Sequence, residues 1–130
     1  MKPKIRCGLM TPGLLDYEQG LALQDKARAL IDSNDWDGVL ILLEHFPVIT
    51  VGTSGVEAHL SPTGTGDDKT AGAPVIQVSR GGSVTCHNPG QLVAYPILNL
   101  NRWHTDVHWY VRTLEDVLID TRRITDVCDL

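Results

Sequence analysis

Five consecutive aliphatic residues, Val39-Leu40-Ile41-Leu42-Leu43, restrict the possible folds of this chain more than any other feature. The run is far shorter than the roughly 20 apolar residues a helix needs to cross a bilayer. It also lacks the polar–apolar alternation of a strand with one wet face. Preceded by Gly38, it predicts a β-strand covered on both faces. With 42% hydrophobic residues in a chain of 130, there is enough apolar material for one domain's core.

The elements around this run follow from local signals. Lys4 to Leu9 is expected as a short strand, ended by the turn signal Thr11-Pro12-Gly13. From Asp16, a suitable N-cap, the pattern turns helical through Tyr17, Leu21, Ala27, Leu30 and Ile31, and Ser33-Asn34 closes it. Val48 to Val51 and Pro74 to Ser79 have β character. The polar, glycine-rich stretch between them is expected to loop over the surface around Gly64 to Asp68. Ser83–Cys86 and Gln91–Leu98 flank Asn88-Pro89-Gly90, which reads as a turn between two antiparallel strands. A last helix begins at Thr105 or Asp106 and lines up Val107, Tyr110, Val111, Leu114, Val117 and Leu118 on one face. Strands grouped between two helices and joined by turns indicate an α+β fold.

Charge narrows the function classes. A formal net charge of −5 is wrong for a protein that neutralises nucleic-acid phosphates. It is equally wrong for an electrostatic membrane anchor. Three scattered cysteines, Cys7, Cys86 and Cys128, form no CxxC pair and suit a reducing cytoplasm. No apolar stretch follows Met1-Lys2-Pro3-Lys4, so no secretory signal is expected. Yet no carboxylate occurs in the 37 residues from Lys69 through Thr105, where the chain's average density would put about four to five. Either buried strands exclude charge of both signs there, or the region receives an anionic or carbonyl-bearing ligand.

Within that region lies Arg80-Gly81-Gly82-Ser83-Val84-Thr85-Cys86-His87-Asn88-Pro89-Gly90-Gln91. The two glycines permit positive φ and bring backbone N–H groups close to a ligand. Arg80 could clamp a carbonyl or phosphate oxygen. Strand alternation puts Thr85 and His87 on one face and Cys86 on the other, which separates Cys86 from His87 as a catalytic pair. The competing reading is a hairpin with a glycine bulge and a core histidine. His104-x3-His108 has metal-ligand spacing but no third ligand, and His45 and His59 are expected to be structural or exposed.

The stretch from Arg80 to Pro96 closely resembles the signature of the lipoyl(octanoyl) transferases: RGG, two residues, T, an aromatic, H, two residues, GQ, then Y. The resemblance extends upstream through Leu43-Glu44-His45-Phe46-Pro47-Val48, Gly52, Gly55 and His59-Leu60, and takes in both helices. It implies the mixed sheet flanked by helices of the biotin/lipoate protein ligase catalytic domain. Residues 1–121 would be the N-terminal part of that domain, incomplete on its C-terminal side, and 122–130 a tail unlike the family.

The same resemblance implies transfer of an octanoyl or lipoyl group from acyl carrier protein to a lysine of a lipoyl domain. The acceptor would belong to a 2-oxoacid dehydrogenase or to the glycine cleavage H protein, and no metal, nucleotide or other cofactor would be used. Arg80, Gly81, Gly82, Ser83, Val84, Thr85, Cys86 and His87 would line the acyl pocket. Cys86 replaces the usual aromatic ring, thinning the pocket wall, and Asn88 replaces a usual glycine. The family's nucleophile is a cysteine assisted by a lysine, both downstream of the motif. Cys128 lacks that context and stands between Asp126 and Asp129, which would raise a thiol pKa. The expectation is therefore that the catalytic pair is missing and that this polypeptide alone turns over no substrate. Two other readings stand beside an octanoyltransferase: an inactive fragment that binds acyl groups, and an ATP-dependent lipoate or biotin ligase of the same fold.

Overall fold

The computed structural model describes residues 4–55 and 72–125. The expected loop at Gly64–Asp68, His59 and Cys128 lie outside them. Two three-stranded sheets organise the chain. In the larger, β1 (Cys7–Leu15) runs parallel to β2 (Gly38–His45), which pairs antiparallel with β6 (Val93–Leu98). In the smaller, β3 (Val48–Val51) lies between β4 (Val75–Gln77), parallel to it, and β5 (Val84–His87), antiparallel to it. Helix α1 (Tyr17–Asp32) links β1 to β2, and α2 (Val107–Thr125) follows β6 after a 3-10 turn at Leu100–Arg102. The α+β class holds. One connection differs from expectation: because β1 and β2 are parallel, α1 is a crossover helix.

Helix α1 starts at Asp16 as read from the sequence, with the Asp16 N–H donating to Gln19 Oε1 at 3.1 Å. It ends at Ser33, and Asn34 takes φ 61°, a conformation asparagine tolerates. Its buried face is Gly20, Ala27 and Ile31, with Leu23 partly buried against the core, whereas Leu21 is exposed.

The apolar run is the heart of the fold, though only one of its faces is sealed. Val39, Ile41 and Leu43 are buried under α1 with Ala27, joined by Met10, Leu15, Val93, Tyr95 and Ile97. On the opposite face Leu40 is 37% exposed and its β1 neighbour Leu9 is 64% exposed. Expected coverage of both faces is thus corrected among the described residues: branched side chains at every position hid an alternation that burial reveals.

Two turn readings also change. Thr11-Pro12-Gly13 does not end β1. The strand runs on to Leu15 with its register broken between Met10 and Gly13, where Gly13 has φ 85°. Proline is tolerated there because β1 is an edge strand and the site is a bulge. Asn88-Pro89-Gly90 does not close a hairpin either, since β5 pairs with β3 and β6 with β2. The turn carries the chain from one sheet to the other.

Helix α2 is capped by Asp106, whose Oδ1 accepts from the N–H groups of His108 and Trp109. Its Tyr110 hydroxyl reaches the Pro96 carbonyl at 3.4 Å, and Tyr110 and Leu114 line a small groove with Leu98, Leu100 and Trp103. The rest of the apolar stripe read from the sequence, Val107, Val111, Val117 and Leu118, is exposed. Among the described residues no helix is long and apolar enough to cross a membrane.

Candidate functional site

The motif segment is anchored on β3. Gly52 N–H donates to the Ser83 carbonyl at 2.7 Å, Thr53 N–H to Arg80 O at 2.9 Å and Ser54 N–H to Gly82 O at 3.0 Å. This lacing brings two main chains into contact at Gly52. A Cβ there would lie 2.5 Å from Gly82 O and 2.9 Å from Arg80 O, so only glycine fits. Of the two motif glycines, Gly82 needs its freedom, with φ 82°, while a Cβ on Gly81 would meet open space. Their carbonyl oxygens turn toward the protein. Among the described residues neither Gly81 N–H nor Gly82 N–H has an acceptor, which suits donors kept for a ligand oxygen.

Arg80 does not reach outward as the sequence suggested. Its Nη2 donates to Thr50 O at 3.0 Å, Thr50 Oγ1 at 2.9 Å and Thr85 Oγ1 at 2.8 Å, and Nη1 to Gly81 O at 3.0 Å. The guanidinium binds β3 to β5 from within, and Thr50 is fully buried. Thr50 escaped sequence reasoning because it lies 30 residues upstream and only the β3–β5 register brings it opposite Thr85. Strand alternation is otherwise as expected: Val84, Thr85 and His87 are half-buried, and Cys86 and Ser83 are exposed.

His87 sits in a ring of aromatic side chains that the sequence did not assemble. Tyr17 lies nearly parallel to it at 6.3 Å, and His45 meets it edge-on at 5.6 Å. His45, a structural residue as expected, is completely buried. Its Nδ1 lies 3.1 Å from the Leu15 carbonyl, which can only accept, so the proton is on Nδ1. Its Nε2 then accepts from the Tyr95 hydroxyl at 2.8 Å. Burial holds the His45 pKa below 6.5, helped by the nearby His87 and opposed by the Leu15 carbonyl. Burial, with a smaller push from Tyr17, raises Tyr95 to about 12 and keeps it a donor. Gly20 makes room for this pair, since a Cβ there would lie 2.6 Å from His45 Cε1.

The turn after β5 is fixed by polar contacts. His87 Nδ1 is 2.6 Å from Gln91 Oε1, Gln91 Nε2 donates to Cys86 O at 3.3 Å, and Gly90 N–H donates to Glu44 Oε2 at 2.6 Å. Glu44 therefore brings a carboxylate to a segment devoid of its own. The signal for it was the Leu43-to-Val48 stretch next to the apolar run. Asn88 keeps a negative φ and needs no glycine-like freedom.

Alongside these residues a cleft of about 590 Å³ runs between α1 and the segment entering the motif. Tyr17, Leu21, Ile76, Val78, Arg80 and Tyr95 are among its walls, and its size is that of a small-molecule site. Among the described residues no three His, Cys, Asp or Glu side chains converge as metal ligands; His104 instead lies against Trp109 at 5.4 Å.

Known proteins resemble this chain at the level of sequence. Residues 16–127 match the lipoyl protein ligase A/B catalytic domain. The octanoyltransferase of Clostridium kluyveri is 46% identical over 110 residues, covering 85% of this chain and 47% of that protein. The octanoyltransferase of Synechococcus elongatus (PCC 7942) is 49% identical over 115 residues, covering 85% of this chain and 46% of that one. That of Nostoc (PCC 7120) is 43% identical over 129 residues, covering 98% and 55%. The chain thus spans about half the length of the curated relatives it matches. It also overlays the lipoate complex of P. falciparum LipL1 with a TM-score of 0.44 and 17% identity, over 67% of this chain and 29% of that one. On the extent of the domain match and these identities, the chain belongs to the lipoyl protein ligase A/B catalytic domain family.

Proposed function

We propose that this chain provides the acyl-binding part of an octanoyltransferase. The complete activity would move an octanoyl group from acyl carrier protein to a lysine of a lipoyl domain. The observation that carries this reading is the 46% identity to an octanoyltransferase across a match that takes in most of the chain. Geometry adds three supports. The cleft beside Tyr17 and Tyr95 is partly apolar, as an acyl chain requires. The Gly81 and Gly82 amides are donors for a thioester or acyl oxygen. Arg80, held inward by Thr50 and Thr85, would keep Gly82 to Thr85 in place as well as forming part of the cleft wall.

The test is titration of the purified chain with octanoate, followed by amide NMR shifts. Shifts confined to Arg80–His87 and the Tyr17 side of α1 are expected. Saturating octanoate without shifts there, or with shifts centred on α2, would refute the assignment. A parallel assay with octanoyl-acyl carrier protein and a lipoyl domain reads transfer directly. Turnover abolished by thiol alkylation would place a nucleophile in this chain.

A further inference from the structure

His45 and His87 stand 5.6 Å apart and have opposite degrees of closure. Both nitrogens of His45 are committed, one to the Leu15 carbonyl and one to the Tyr95 hydroxyl. His87 is committed on one side only. Its Nδ1 faces a Gln91 amide group at 2.6 Å, and the orientation of that amide decides which way the hydrogen bond runs. The Cys86 carbonyl decides the orientation, because a carbonyl accepts and so must face the Gln91 NH2. The oxygen of Gln91 is then the atom against His87, and Nδ1 must carry the proton. In the neutral ring Nε2 is left with its lone pair and, among the described residues, no partner.

We propose that Gln91 is a positioning residue that locks His87 in the Nδ1–H form, so that His87 presents a hydrogen-bond acceptor to the reacting groups. The group that meets it must then bear an N–H or S–H, as the acceptor lysine amine and a thiol donor do. A carbonyl oxygen or oxyanion would face a lone pair on the neutral ring and be repelled. Such oxygens are left to the amides of Gly81 and Gly82. Glu44 supports the device at one remove: by taking the Gly90 N–H it fixes the turn that delivers Gln91. A neighbouring acid does not determine the tautomer of His87, since the atom on Nδ1 is an amide oxygen.

This inference rests on the proposed acyl-transfer reading only for the identity of the donor group; the tautomer can be read without any substrate. Long-range 1H–15N NMR of the purified chain at a pH where His87 is neutral distinguishes a protonated from an unprotonated ring nitrogen. The expected result is Nδ1–H for both His45 and His87. Gln91→Leu should release His87 into a mixture containing Nε2–H while His45 stays Nδ1–H, showing that the core is unchanged. Gln91→Glu, which keeps an acceptor oxygen, should restore Nδ1–H at His87. A wild-type His87 protonated on Nε2 would overturn the proposal, whether or not the variants fold. So would a Gln91→Leu protein whose His87 is unaltered. Failure of octanoate to bind would leave the tautomer result standing and count only against the function proposed above.

Discussion

Ile41, in the middle of the larger sheet, has no exposed surface and clusters with Ala27, Val39 and Leu43. Thr50, in the middle of the smaller sheet, is just as buried but spends its hydroxyl and carbonyl on the Arg80 guanidinium. One sheet is held by removal of apolar surface from water. Directional bonds from a single charged side chain, and a lacing of main-chain amides, hold the other. Apolar packing tolerates small displacements, whereas each hydrogen bond fixes a distance and an angle. It is the second kind of sheet that carries the motif, with the Gly81 and Gly82 amides that have no acceptor among the described residues.

The largest effect that tests this contrast is expected from Ile41→Ala. Truncating a fully buried aliphatic side chain costs about 2–5 kcal/mol, and chemical denaturation should show one cooperative loss. Arg80→Leu should cost about 1.5–3 kcal/mol, the scale of hydrogen bonds to a charged group. The loss should be local: amide exchange in β3 and β5 should speed up while β2 stays protected. Uniform acceleration across both sheets would break the distinction between them. Gly20→Ala sharpens it from the other side. Alanine in a helix interior normally gains about 1 kcal/mol over glycine. Here the new methyl would press on His45, pinned by two hydrogen bonds, and the variant should lose about 1–3 kcal/mol in a thermal melt. Gly81→Ala, by contrast, enters open space and should leave the melt nearly unchanged.

The smallest effect expected is on pH. His45 has a folded pKa below 6.5, so the unfolded chain binds the proton more readily. Its contribution to stability is therefore complete above 6.5 and declines as pH falls below that value toward the folded pKa. Asp37 has the acid version of this behaviour. The Arg6 N–H lowers its pKa below 3.8 against a counteracting burial, and Arg102, 2.7 Å away, lowers it further. Its contribution is present above 3.8 and lost as pH drops through the folded value. A melting series from pH 8 to pH 3 should show the two declines in that order, and His45→Gln should remove the first.

How much of this was legible in the sequence depended on range. The helix cap at Asp16, the start of the last helix at Thr105 or Asp106, and the alternation of Thr85, Cys86 and His87 are local, and local rules found them. The inward aim of Arg80 was not local, because its partner Thr50 becomes a neighbour only through strand register. Asn88-Pro89-Gly90 was correctly a turn, but a turn signal does not say whether the strands it joins will pair. Pro12 misled for a related reason: it breaks a central strand, and β1 is an edge. The aromatic ring around His87 draws on α1, β2, β5 and β6, so no window of sequence contained it.

Glu44 and the Gly90 amide have a mechanical consequence. The end of β2 and the link from β5 to β6 meet at that charged contact. If the smaller sheet rocks against the larger, the movement would pivot about this pin and the Phe46-Pro47 link between β2 and β3, or break the pin. The residues nearest the pivot, His87 and Gln91, would then move least, and the Gly81–Gly82 rim, farther along the lever, would move most. Mobility of the glycine rim and constancy of the histidine would thus be properties of the two ends of one strand.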